Sequence, residues 1–350
     1  MARKVLWASL VLTPVALVLR YVAHSGNTAL FVVAALALVP LAWLIGEATE
    51  QASEHTGAGI GAFLNASFGN APEVIIALFA IADSLPDVVR GSLAGSVVSN
   101  VLLVLGAALA LQAGEERTLD RRSLLTQLAL VLGGVLLLLI PSIPGWHGNP
   151  DRHSLAVASL PVAAVLLVAY LGFTAFGLRR HRRLHAAANA SARGSAWPLR
   201  TALVALAVAT AATAAVSEVL VHSLSAFADS AGLSRFFVAA VIVAIVGNAA
   251  EHGGAILIAR RGKIRLATEI AVSSSAQVGL LVVPVIALLS WVVKPELSLS
   301  FRPEELAAVG GSAVFVGLVV ADGKSRRWEG ALLLAAYAAV VGGFWITGDR

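Results

Sequence analysis

Apolar runs of roughly twenty residues, separated by short polar breaks, follow one another along the whole chain. A helix needs about 20 mostly apolar residues to cross the hydrocarbon of a bilayer. Runs of that kind predict eleven spans, at 5–23, 28–48, 57–82, 86–113, 124–141, 154–177, 199–222, 234–259, 266–293, 303–321 and 328–347. The predicted fold class is all-α, a polytopic membrane protein of about 11 transmembrane helices. The first run has the charge-then-apolar order of a signal peptide. It is long and shows no Ala-x-Ala cleavage site, so it reads as an uncleaved helix.

Composition agrees. Hydrophobic residues make up 58% of the 350 and charged residues only 13%, about half the usual share of a soluble domain. The net charge of +5 raises nucleic acid as a partner, but the basic residues sit in short loops between apolar runs. That is a topological signal and not a binding face. With the N-terminus inside, eighteen of the 25 Lys and Arg fall on the cytoplasmic side, among them Arg3, Lys4, Arg121, Arg122, Arg260, Arg261, Lys263, Lys324 and Arg326. The Arg179–Arg200 linker adds Arg179, Arg180, Arg182, Arg183 and Arg193. An even number of spans would break this asymmetry. Cysteine is absent, which excludes disulfides and thiolate metal sites.

A motif repeats. Gly69-Asn70-Ala71-Pro72-Glu73 returns as Gly247-Asn248-Ala249-Ala250-Glu251, 178 residues later. The same offset pairs Ser96 with Ser274, Ser99 with Gln277 and Gly106 with Pro284. Thr49-Glu50 is similar to Ser217-Glu218 at a different offset. The predicted organisation is therefore an extra N-terminal helix (1–25), a first five-helix repeat (26–178), a basic cytoplasmic linker (179–200) and a second five-helix repeat (201–350). Five is odd, so the repeats insert with opposite orientation. Inverted repeats with a site at their interface characterise secondary transporters.

Glu73 and Glu251 fall well inside their spans, where a carboxylate costs about 3 kcal/mol on insertion scales and marks an ion path by default. Asn70 and Asn248 stand three residues earlier on the same helix face. Ser96 and Ser99, like Ser274 and Gln277, repeat that spacing on the following helices. All are oxygen donors, the ligand type that Ca²⁺ takes in sets of about 6–8. Zinc would want His or Cys, and only His252 is near. A single Asn-x-x-Glu pair could be a helix–helix hydrogen bond, but two matched copies in inverted units favour a site. His252 reads as a proton carrier or as a satisfied polar neighbour. Asp83 and Asp87 read as outer surface, where a cation-attracting vestibule is an open alternative.

At these residues the chain resembles the calcium/proton exchanger family of the Ca²⁺/cation antiporters, over spans 2–11. Gly247-Asn248-Ala249-Ala250-Glu251-His252 is the more specific of the two signatures. The resemblance implies that Glu73 and Glu251 are the central cation ligands, with Asn70 and Asn248 as co-ligands. It also implies that Glu50 and Glu218 lie on a cytosolic-side cation and proton route. Pro72-Glu73 is similar to the Pro-Glu of sodium/calcium exchangers, yet Asn70-Ala71 and Asn248-Ala249 stand where those carry Thr-Ser. Proton coupling is favoured.

The expected function is exchange of Ca²⁺ for H⁺ by alternating access, in a secondary transporter and not an enzyme. A monovalent Na⁺ or K⁺/H⁺ antiporter on the same scaffold is the alternative, and a sodium/calcium exchanger comes behind it. Neither a His-Glu-x-x-His metalloprotease helix nor a Gly-x-Ser-x-Gly elbow occurs. No cofactor is expected beyond the transported Ca²⁺ and H⁺. The expected partners are those ions and the lipid bilayer, with no nucleic acid and with a homo-oligomer left open. The compact length and Ala/Gly/Arg bias point to a bacterial cell membrane.

Overall fold

The computed structural model describes residues 2–114, 117–185 and 197–348. The element order is α1 Ala2–Ser9, α2 Leu12–Tyr21, α3 Asn27–Gly69, α4 Ala71–Ala82, α5 Pro86–Val98, α6 Leu105–Ala110, β1 Arg117–Thr118, α7 Arg121–Gly145 and α8 His153–His185. Then follow α9 Leu199–Ala231, α10 Arg235–Phe237, α11 Ala244–Gly247, α12 Ala249–Arg260, α13 Ile264–Gln277, α14 Val283–Val293, α15 Pro303–Val319, β2 Lys324–Ser325 and α16 Arg327–Thr347. Among the described residues nine helices are long and apolar enough to cross a membrane, or ten when Arg235–Arg260, bent by 59° at its break, counts as one. Large apolar side chains point outward, Val292 at 83% exposed and Leu318 at 71%. In this composition that surface faces lipid and not water. The protein is a multi-pass membrane protein.

The eleven expected spans are not eleven single helices. Residues 57–82 are divided between the end of α3 and the 12-residue α4. Helical bonding runs unbroken through the 43 residues of α3, which if straight would be about 65 Å long, twice the hydrocarbon thickness. It is not straight. Ser53 Oγ donates to the Gly61 carbonyl at 3.2 Å, whereas residues eight apart on a straight helix lie about 12 Å apart. The chain folds back between Ser53 and Gly61, so α3 has two arms. The linker is also shorter than expected, because α8 continues to His185. Arg193 and the side chains of Arg179, Arg180, Arg182 and Arg183 lie outside the described residues.

The ends follow local chemistry. Pro86 and Pro303 start α5 and α15 at positions where a missing N–H costs nothing. Gly232 ends α9 at φ +65, with its successor bonding back to Ala228. The buried stretch Leu297–Phe301 has no regular secondary structure, and irregular backbone buried in a membrane protein must find internal partners. Serines supply them: Ser290, Ser159 and Ser142 hydroxyls accept from the amides of Leu297, Leu299 and Phe301 at 2.8, 2.8 and 3.0 Å.

Candidate cation site

Both copies of the motif break their helix in the same way. Asn70 (φ −102, ψ 17) and Asn248 (φ −95, ψ 8) leave the helical region at matched points. The bend at Asn248 occurs without a proline, so the Gly-Asn pair and not Pro72 is the shared cause. Asn248 Nδ2 donates to the Ala244 carbonyl at 2.9 Å, which satisfies an acceptor at the break. Each break starts a new helix, and Glu73 and Glu251 each stand in its first turn. The positive end of the helix dipole there stabilises negative charge.

The two copies meet head to head. A Cβ on Gly69 would lie 3.7 Å from Glu251 Oε1, and one on Gly247 would lie 3.5 Å from Glu73 Cγ. Each carboxylate therefore rests on the glycine of the opposite repeat. Glu73 is 8% exposed, and neither acid points into lipid. Further cross-repeat bonds lock this arrangement. Asn248 Nδ2 donates to Ser96 Oγ at 2.8 Å and His252 Nε2 meets Asn100 Oδ1 at 3.1 Å. Ser275 Oγ donates to the Val97 carbonyl at 3.1 Å. A Cβ on Gly95 would run into the backbone of Ala240, so only glycine allows α5 this close to the Val238–Val243 segment. Within the second half, Ser274 Oγ donates to Glu251 Oε2.

The sequence-predicted donors divide into two groups. Glu73, Glu251, Asn70, Asn248, Ser96 and Ser274 converge on the breaks, and the two asparagines are 1% exposed. Ser99 turns its hydroxyl to the Ser96 carbonyl at 3.1 Å, and Gln277 meets Tyr170 of α8. Among the described residues neither bonds to a carboxylate. His252 is buried beside Asn100. Asn100 carried no signal in the repeat, since its counterpart at the 178 offset is Val278. Both Ser99 and Gln277 stand where α-helix turns to π-helix, at Ser99–Val104 and Val278–Val282. Such bulges are frequent at functional sites.

Glu50 and Glu218 stand at different levels along their helices. Helices α3 and α9 pair antiparallel, with Phe31 stacked on Phe227 at 4.2 Å and the hydroxyls of Thr28 and Ser230 3.0 Å apart. That register puts Glu218 level with about residue 40 of α3, roughly 15 Å from Glu50 along the axis. Of the two, Glu50 lines the cavity that leads to Glu251. A cavity of about 400 Å³ lies between the arms of α3, walled by Gly46, Glu50 and Ser53 on one arm and Gly61 and Asn65 on the other. Its floor is Gly247 and Glu251. Glu218 stands exposed, 3.5 Å from the Tyr21 hydroxyl of α2. Asp87 is no open cation lure, for it pairs with Arg90 at 2.9 Å and Arg302 at 3.5 Å.

The family model for the sodium/calcium exchanger protein matches residues 26–179 and 201–346, nearly the whole chain and in two blocks. The chain belongs to this family. A Ca(2+)/H(+) antiporter of Aphanothece halophytica is 32% identical over 335 residues, covering 91% of this chain and 90% of its own. The Ca(2+)/H(+) antiporter ChaA of Bacillus subtilis is 34% identical over 333 residues, with 92% and 93% covered. Among solved structures, that of native YfkE superimposes with a TM-score of 0.81 at 30% identity, over 98% of this chain and 99% of that one. The proton-exchanging branch anticipated from Gly247–His252 is thus where this family member finds its relatives.

Proposed function

We propose that the chain exchanges Ca²⁺ for H⁺ across a cell membrane by alternating access at a site made by Glu73 and Glu251. The reciprocal seating of each carboxylate on the other repeat's glycine carries this reading, because it brings two acids together where solvation is poor. Like charges held near each other at low effective dielectric repel strongly. A doubly charged, empty site is therefore costly to close. Ca²⁺ removes that cost, and so do protons. Only those two loaded forms occlude readily, so the ion must leave before protons take its place, and coupling needs no further device.

Asn70, Asn248, Ser96 and Ser274 supply neutral oxygens around the pair, in keeping with the hard oxygen ligands Ca²⁺ prefers. Among the described residues no group of three or more His, Asp or Glu gathers to hold a metal. Two carboxylates with neutral oxygens suit an ion that must also be released. The repeats are residues 26–178 and 201–350, inserted with opposite orientation, and residues 1–25 form an added helix. The N-terminus and the vestibule at Glu50 face the cytoplasm. Sliding of the paired helices α3 and α9 past the breaks would close the vestibule and open the far side. Glu50 meets ions at the vestibule mouth.

The test is ion-driven proton flux with purified protein in proteoliposomes, across Ca²⁺, Mn²⁺, Na⁺ and K⁺. Proton release driven by Ca²⁺ supports the reading. Flux driven by Na⁺ or K⁺ alone replaces it with monovalent antiport.

A further inference from the structure

The surroundings of Glu73 contain a hydroxyl that the internal repeat does not duplicate. Ser92 lies one helical turn from Ser96 on α5, toward the Pro86 end and away from the vestibule. With Glu73 and Ser96 it lines a narrow cavity of about 10 Å³, whose remaining walls include Ile76, Leu93 and Val243. That volume is at the lower limit for one water molecule. Ser92 Oγ donates its proton to the Val89 carbonyl at 3.0 Å, which leaves its lone pairs as acceptors. Glu73 Oε2 is buried there without a hydrogen-bond partner. The position matching Ser92 in the second half is Ile270.

A cation leaving Glu73 away from the vestibule has to cross this layer. The side-chain oxygens lining it belong to Glu73, Ser96 and Ser92, and Ser96 already accepts a bond from Asn248. We infer that Ser92 is a transient ligand for the divalent cation on the far half of its path, holding it between Glu73 and the outlet beside Pro86. Hard divalent cations take such hydroxyl oxygens in exchange for water. The second half has no equivalent, so the two half-paths are chemically unequal. This inference rests on the exchange reading above.

The chain has no cysteine, so Ser92→Cys would carry its sole thiol. Ser53→Cys, in the vestibule wall, provides the reporter for the other side. Both variants would be treated with a membrane-impermeant cationic thiol reagent in sealed vesicles of each orientation. The expected result is labelling of Ser53→Cys from one side and of Ser92→Cys from the other, the latter slowed by Ca²⁺. In flux assays Ser92→Ala should raise KM for Ca²⁺ on the far side by about tenfold, the scale of one lost polar contact. Ser92→Thr, which keeps the hydroxyl, should restore most of that loss. Labelling of both thiols from the same side, no labelling of Ser92→Cys in either orientation, or an unchanged KM in Ser92→Ala overturns the inference alone. An unmodified protein that fails to exchange Ca²⁺ for protons overturns the exchange reading and this inference with it.

Discussion

Two copies of one five-residue motif sit in unlike surroundings. Glu251 forms the floor of a 400 Å³ cavity that opens between the arms of α3. Glu73 lines a narrow cavity of about 10 Å³ walled by Ile76, Leu93 and Val243. Their backbones match to within about ten degrees at the preceding asparagine, so local structure is not the difference. What differs is the position of the neighbouring helices. One acid borders a wide cavity and the other a narrow one, because different helices pack around each copy. Duplication places an acid just after each break, and departure from symmetry gives the two acids unequal surroundings.

The largest effect should come from the acids themselves. Glu73→Gln and Glu251→Gln should each reduce Ca²⁺-driven proton flux at least a hundredfold, since losing one buried charged partner costs about 3 kcal/mol or more. Monodisperse elution and helical circular dichroism should be retained. Equal losses despite unequal exposure would show that both copies act as one site. Retained exchange in either variant would break the comparison.

Next comes Gly95→Val. Its side chain would collide with the Ala240 backbone and separate the two repeats, at a cost of about 3 kcal/mol. Thermal unfolding in detergent reads that as a fall in Tm. A Tm within a degree of the parent would refute the close approach.

Asn248→Ala removes donors to Ser96 and to the Ala244 carbonyl. A loss of about 1–3 kcal/mol follows, seen as roughly a tenfold higher KM for Ca²⁺ with the fold intact. Asn248→Asp, which keeps an oxygen but not the donor, should not restore it.

The smallest effect is expected at the vestibule mouth. Glu50 is exposed, so Glu50→Gln should raise KM by only about two- to threefold at low salt. The effect should fade above about 0.3 M salt as screening shortens the reach of the charge. A salt-independent loss would mean that Glu50 binds the ion directly.

Much of this was legible in the chain alone. Glu73 and Glu251 stood out because a charge in an apolar run has no bland explanation twice at one offset. Ser92 and Asn100 did not, because the offset that exposed the others returns Ile270 and Val278. Comparison of repeats finds what is duplicated and is blind to what breaks the duplication. Ser99 and Gln277 share the right spacing yet turn elsewhere. Spacing sets a helix face, while a π-helical turn just beyond it and a neighbour such as Tyr170 decide the partner. Glu50 and Glu218 looked alike for the same reason, and the antiparallel register of α3 and α9 set them apart.

By itself the sequence determined the membrane class and the helical fold, and it singled out Glu73 and Glu251 as acids repeated within apolar runs. Each of those follows from properties that a residue carries with it, namely hydropathy, charge and backbone preference. Tertiary structure alone decided that α3 doubles back between Ser53 and Gly61, that each carboxylate seats on the opposite glycine, and that one borders a wide cavity and its twin a narrow one. These depend on where distant helices come to rest. Packing free energy is a property of contacts between residues far apart in the chain, and no local pattern encodes it.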